Sequence, residues 1–303
     1  MIRRLGSTVI ALVGALLLVS LFLNLVPGDP IDVMLGEQAS NVDREALRHA
    51  IGLDQPWYVQ IAVFTRDFFT GDLKTSLPPF QKEIWPQIAA AMPNTLLLTF
   101  TSMLIAVLLA VPLGVSAAAR RGTLVDNVAM GVAVTGVALP RFWLGPMLII
   151  LFSIKLDWLP VSGAESVRHL VLPAVTLGTA LAAFLSRMTR ASMLETMRED
   201  YVTVARAKGL ARWKVLWKHT FRNALLPVIT ILGLEFGTLL GGAIVTEKVF
   251  AWPGMGTLLL NGIEKRDYNL VRATVLVFTL SYVIINALTD VVYTIVDPRV
   301  RRR

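Results

Sequence analysis

Six stretches of this chain are apolar for long enough to cross a lipid bilayer, at roughly 5–26, 95–119, 126–153, 170–187, 226–246 and 271–292. A hydrocarbon core about 30 Å thick needs about 20 residues of helix. No water inside it can satisfy an open backbone group, so each run is expected to be helical. The expected fold class is therefore an all-α polytopic membrane protein. Composition agrees: 55% of residues are hydrophobic and only 17% charged, and the mean hydropathy is +0.63. The first run, LGSTVIALVGALLLVSLFLNLV, exceeds the ~7–15 residues of a signal-peptide core and no A-x-A-like site follows, so it is expected to stay as an anchor.

Basic residues orient the spans. With the N-terminus in the cytoplasm, the inside segments hold 17 Lys and Arg against six acidic residues, and the outside loops hold 11 against 14. Cationic segments stay inside, which predicts six spans with both termini cytoplasmic. A net charge of +8 might suggest nucleic acid, but the cations flank apolar runs and form no nucleic-acid-binding signature. They are read as membrane-orienting charges. The chain has no cysteine, and His49, His169 and His219 form no HExxH-type pair, so thiolate chemistry and a metal site are not expected.

Two spans are uneven. VALPRFWLGP sets Pro140, Arg141 and Pro146 inside the third, where proline removes a backbone donor. Either the helix kinks or ends early there, or the bend shapes a pathway. In the fifth, Gly233, Gly237 and Gly241 recur every four residues and are expected to form a close-packing face for another helix. Glu235 is the carboxylate near mid-span. Buried in lipid it would be costly, so it should face protein or water. It lies about 200° from Gly233 and Gly237, with Thr238 and Gly242 on its side. It is expected either to face a translocation pathway or to hold an ion pair or a packing hydrogen bond.

Residues 27–94 separate the first two spans on the outside. This is long for a plain connector, and Asp43–Ile51 and Trp57–Phe69 look helical around the turn-prone Gly52 and Pro56. A small helical cap is expected. GDLKTS (71–76) lacks the glycine directly before lysine that a phosphate-binding loop requires, so no nucleotide site is expected in this chain.

The stretch that stands out is the basic island DYVTVARAKGLARWKVLWKHTFRNALLP (200–227), within the inside loop 188–225. It reads as two short helices. Asp200 could cap the first, Tyr201–Lys208, and Gly209 could end it in the left-handed conformation. The second runs from about Ala211 to Arg222 and enters the membrane at Asn223–Pro227, with Pro227 in the first turns of the span. Ala205 and Ala207 give the first helix a small-residue surface for a partner's cleft, with Tyr201 and Leu210 as anchors and Arg206 and Lys208 at the rim. The bland alternative is that the island rests on lipid headgroups. Trp213 and Trp217 among cations suit that role in the second helix.

Several words of the sequence then point one way. EDYVTVARAKGL (199–210) and RNALLPVIT (222–230) resemble the cytoplasmic EAA-type loop of bacterial ABC importer permeases, in the peptide-permease branch. LVPGDP (25–30), GLDQPWYVQ (52–60), GDLKTS, LDWLPVSGA (156–164), GGAIVTEKVFAWPGMG (241–256) and DPRVR (297–301) extend the resemblance over essentially the whole chain. The loop's pattern of Glu-Ala-Ala, three residues and Gly falls on Thr203, Val204, Ala205 and Gly209. Only Ala205 and Gly209 match, so Thr203 does not inherit the glutamate's role.

The resemblance implies a type I importer permease fold: an N-terminal helix (1–26), an extracytoplasmic cap (27–94) and a permease domain (95–303). It implies residence in the bacterial cytoplasmic membrane as one of two homologous permease subunits, the second more naturally a different polypeptide. Two ATPase subunits, carrying ATP and Mg, would each clasp a coupling helix, here about Asp200–Leu210, and an extracytoplasmic binding protein would deliver the solute. Dipeptides, oligopeptides and glutathione are the solutes of this branch. In EKVFAWPGMG, Phe250, Trp252 and Pro253 are expected to form a hook against the binding protein or the pathway, or a turn with Trp252 at headgroup level. The rival classes fit less well. A secondary transporter predicts inverted repeats, and a membrane-embedded enzyme needs paired catalytic groups; neither is visible.

Overall fold

The computed structural model describes residues 2–25, 31, 40–50, 52–75 and 82–296. LVPGDP beyond Leu25, Ser76 of GDLKTS, and DPRVR with Arg299, Arg301, Arg302 and Arg303 lie outside the described residues. All regular structure among the described residues is helical, apart from an isolated bridge between Lys74 and Glu83. Among the described residues four helices are long and apolar enough to cross a membrane, or five if a bent pair is one span. The apolar part of the first helix, Thr8–Leu23, is shorter.

The chain divides into two compact units. The first comprises residues 1–95 and 253–284. It contains α1 (Ile2–Leu25), α2 (Asn41–Ala50), α3 (Trp57–Thr70), the start of α4 (Ile84–Ala119), α10 (Met255–Glu264) and most of α11 (Tyr268–Val296). α2 and α3 lie within two residues of the expected helix limits, with Ile51 outside the described residues. Gly71 closes α3 at φ +88°, a conformation that costs glycine little. Phe64 and Phe68 on one face of α3 then reach a core with Leu16, Leu73, Ile84, Ile88, Leu276 and Val277. Backbone bonds from Thr75 to Lys82 (2.9 Å) and from Ile84 to Leu73 (3.0 Å) tie the strand-like ends together.

The second unit comprises residues 96–252 and 285–303. Its centre is α7 (Val167–Thr196), buried along most of its length. Leu170, Leu177, Leu181 and Leu185 of α7 pack with Leu98, Ala106 and Ala110 of α4 and with Val228, Leu239 and Ala243 of α9 (Arg212–Val249). Glycines let α4 and α7 approach closely. A Cβ on Gly178 would lie 2.5 Å from the Ser102 carbonyl oxygen, and one on Gly114 would lie 2.6 Å from that of Ser186. Contacts at that range substitute for hydrophobic driving force between helices in lipid.

The third predicted span is broken rather than kinked. α5 (Leu124–Ala138) and the helix after it meet at 108°. Pro140 restricts Leu139 to extended backbone, φ −78° and ψ 119°. The chain restarts as α6 (Arg141–Leu148) and continues as a π-helix over Ile149–Lys155.

The basic island is also built differently from expectation. α8 (Asp200–Ala207) is preceded by Glu199 at the N-cap, so Asp200 is the first helical residue and not the cap. The second island helix and the fifth span are a single 38-residue helix, α9, which passes through π geometry at Val215–Phe221. Pro227 therefore sits well inside a continuous helix, not in its first turns.

Candidate functional site

Between α7 and α9 the chain leaves the bundle, makes α8 and returns. Three backbone devices fix this excursion. Val202 and Thr203 N–H groups donate to the Glu199 carbonyl at 3.0 and 3.3 Å, starting α8. Gly209, at φ +74°, ends it, with its N–H on the Arg206 carbonyl at 3.0 Å. A side chain at that φ would be strained, which is the physical reason for glycine here. Arg212 then donates from Nη2 to the carbonyl of Ala119 at 3.0 Å, satisfying an open carbonyl at the end of α4 with a cation that its dipole favours.

α8 has two faces. Val202 and Ala205 point inward and pack with Val215 of α9, all three buried. Tyr201, Thr203, Val204, Arg206, Ala207, Lys208 and Leu210 are exposed. The Tyr201 hydroxyl accepts a bond from Asn223 Nδ2 at 2.7 Å, fastening the outer edge of α8 to α9. Ala205 is thus not part of a small-residue contact surface. Its methyl sets the spacing between α8 and α9, leaving Ala207 as the small residue outside. Behind the excursion, Val115 and Ala118 of α4, Met193 of α7 and Ala224 of α9 form a buried cluster. α8 is therefore seated on α9 through Val215, and α9 in turn packs with α4 and α7 through Ala224.

In α9 the residues proposed for a pathway share a side. Glu235 and Gly242 are partly exposed and Thr238 is exposed, in line with exposed Leu234 and Val245. Among the described residues Glu235 makes no hydrogen bond or ion pair. Within this chain two of the three glycines are packed. A Cβ on Gly233 would collide with Thr289 Cγ2 of α11, and Gly237 is buried, while Gly241 is exposed with no described residue near it. A four-residue step overshoots the 3.6-residue turn by about 40°. Two steps set Gly241 about 80° round from Gly233.

The loop Glu247–Gly256 also corrects an expectation. Phe250 and Trp252 are 1% and 3% exposed. Trp252 belongs to the core with α4, α7 and α9, and Phe250 lies against Gly145, whose Cβ would come 3.2 Å from its ring. The Trp252 N–H bonds the Glu247 carbonyl at 2.8 Å, and the Gly163 N–H bonds the Phe250 carbonyl at 3.1 Å. Ala251 takes φ +48° to allow the turn. The aromatics therefore anchor the loop from within, and neither projects as a hook. Pro253 is exposed, its carbonyl accepting from Asn94 at 2.9 Å.

The histidines are scattered. His49 pairs with Asp54 at 2.9 Å and His169 with Glu165 at 2.7 Å. Among the described residues no three His, Cys, Asp or Glu are grouped to hold a metal ion.

The chain as a whole has counterparts among known proteins. The family model described as "Binding-protein-dependent transport system inner membrane component" matches residues 110–302, and the N-terminal model of the same system matches residues 1–99. The chain is 42% identical over 300 residues to the glutathione transport system permease protein GsiC of Escherichia coli (strain K12), covering 99% of this chain and 98% of the relative. The same protein of Escherichia coli O6:H1 is 43% identical with equal coverage. Among solved structures, the fold is similar to an inward-facing conformation of the MetNI methionine ABC transporter, at a TM-score of 0.60 and 18% identity, over 72% of this chain and all of that one. An amino acid ABC transporter crystallised with histidines matches at 0.55 and 14%, over 69% of this chain and 93% of that one. The chain belongs to the binding-protein-dependent transport system inner membrane component family and is the multi-pass permease of a bacterial ABC importer, working with a binding protein and with ATPase subunits that hydrolyse the ATP.

Proposed function

We propose that this permease imports short peptides, with glutathione-like tripeptides among them, as one of two homologous membrane subunits, and that α8 is the helix gripped by an ATPase subunit. The chain would cross the membrane six times with both ends in the cytoplasm. α1 and the broken α5–α6 pair then complete the count begun by the four long apolar helices. The basic inside segments support that orientation. The identity to glutathione permeases over nearly the full length supports the solute class.

The observation that carries the coupling role is the construction of α8. Its inner face is fixed by Val202 and Ala205 against Val215, while Tyr201 and Val204 stand 41% and 51% exposed on the outside. Exposed apolar groups on a short rigid helix, rimmed by Arg206 and Lys208, suit a protein cleft. An ATPase that contacts this surface differently in two nucleotide states would bias the bundle between two conformations. Glu235, with Thr238 and Gly242, would face the pathway, where a carboxylate can receive the ammonium end of a peptide.

The test is uptake by the complete complex in proteoliposomes, assayed with glutathione and a panel of dipeptides and tripeptides. ATP-dependent accumulation of at least one of them is expected. Transport of none, or uptake that ignores ATP, would refute the assignment. Glu235→Gln should lower uptake with assembly unchanged; equal uptake would remove Glu235 from the pathway.

A further inference from the structure

The first turns of α9 border an open cavity of about 600 Å³. Lys218, His219 and Arg222 line one part of it, beside Tyr201 and Asn223. Leu225, Leu226 and Ile229 carry the wall on toward the apolar length of the helix. Lys218 and Arg222 are exposed, and among the described residues neither makes a hydrogen bond or an ion pair. The polar end of the cavity is therefore cationic, with no carboxylate among the described residues paired to these two side chains.

A second cavity of about 300 Å³ lies next along α9, and Ile229 lines both. Its walls are apolar: Leu232 and Phe236 of α9, Phe100 and Met103 of α4, and Leu288 of α11. From Arg222 to Phe236 the helix rises about 21 Å at 1.5 Å per residue, somewhat more than one leaflet of a hydrocarbon core about 30 Å thick. Trp213 and Trp217, 64% and 45% exposed, stand just before the cationic end. Tryptophan is favoured at headgroup level, which puts the polar cavity at the membrane surface. The groove also lies across the helix from Glu235, Thr238 and Gly242, so it is not the face proposed for the solute.

We propose that this groove is a binding site for an anionic phospholipid, with the headgroup phosphate between Lys218 and Arg222 and an acyl chain along Ile229 to Phe236. The order of the two cavities matches the order of charge and hydrocarbon in such a lipid. A zwitterionic lipid would bring its own cation to a site that already holds two unpaired ones. A seated lipid would also touch Tyr201, the residue that fastens α8 to α9.

The test uses the purified full-length chain in detergent, with native mass spectrometry against phosphatidylglycerol and phosphatidylcholine of identical acyl chains. Retention of phosphatidylglycerol should exceed that of phosphatidylcholine by about thirtyfold, the scale that two surface cations supply. The paired change Lys218→Gln and Arg222→Gln should erase the preference, while Lys218→Arg keeps it. Ile229→Trp should reduce retention of both lipids. The wild-type ratio needs no variant, so a variant that misfolds leaves the test standing. Equal retention of the two lipids overturns the proposal. So does equal competition by glycerophosphoglycerol, which would make this a free-anion site. Displacement of the lipid when the partner subunits assemble would assign the groove to a protein interface and likewise overturn it.

Discussion

Arg190 of α7 holds Asp126 of α5 with a bidentate fork, Nε to Oδ1 at 2.6 Å and Nη2 to Oδ2 at 2.7 Å. The Gly122 N–H adds a third bond to Oδ2 at 3.0 Å. The fork clamps the start of α5 to the segment of α7 that leads into α8. Asp126 is buried, whereas the Arg190 side chain keeps 27% of its surface in contact with solvent.

Removing either partner leaves the other uncompensated. Breaking a buried pair costs about 3–5 kcal/mol, and the partly wet arginine places this one toward the lower end. Asp126→Asn and Arg190→Gln should each lower the melting temperature of the purified permease. The double change should cost clearly less than the two losses added, the signature of direct coupling. Additive losses would mean that the fork contributes nothing as a pair.

Gly209 tests the end of α8. At φ +74° a β-branched residue costs at least the ~1–2 kcal/mol of left-handed backbone, whereas asparagine tolerates it. Gly209→Val should uncouple ATP hydrolysis from uptake in the reconstituted complex, and Gly209→Asn should retain most of it. If valine is as good as asparagine, the turn does not need its left-handed geometry.

The two faces of α8 should fail differently. Ala205→Leu overpacks the contact with Val215, at about 1–3 kcal/mol, and should destabilise the isolated permease. Val204→Asp touches no packed neighbour. It should leave melting unchanged yet stop the ATPase subunits from co-purifying. A permease that keeps its ATPases with aspartate at 204 would place the grip elsewhere.

Gly233 offers a repairable defect. Gly233→Ala should destabilise through its collision with Thr289, and Thr289→Ala should recover most of the loss by removing Cγ2. Gly241→Ala, in open space, should be neutral in the isolated chain. Thermal unfolding of the three variants and the rescue pair reads this directly. A neutral Gly233→Ala would contradict the close crossing of α9 and α11.

Much of this was legible in the sequence because it is local. Runs such as 170–187 must be helical whatever they pack against, and Gly209 announces a left-handed helix end. The Asp126–Arg190 fork was not legible, because its members are 64 residues apart and many cations could have paired with that carboxylate. The unity of α9 was hidden by charge: a basic island before an apolar run reads as a surface helix and then a span, and Pro227 looked like an entrance. Phe250 and Trp252 stand beside a Pro-Gly turn, where a buried anchor and an exposed hook have the same local pattern.

The central claim is that α8 is held on the cytoplasmic side by a separate ATPase. Because the chain has no cysteine, Val204→Cys gives a single thiol on the exposed face of α8. The account predicts that a short bifunctional reagent links this thiol to the ATPase subunit in the assembled complex, and that a membrane-impermeant maleimide reaches it only from the cytoplasmic side. Labelling from the outside of intact cells, or no link to any ATPase in a complex that transports, would contradict it.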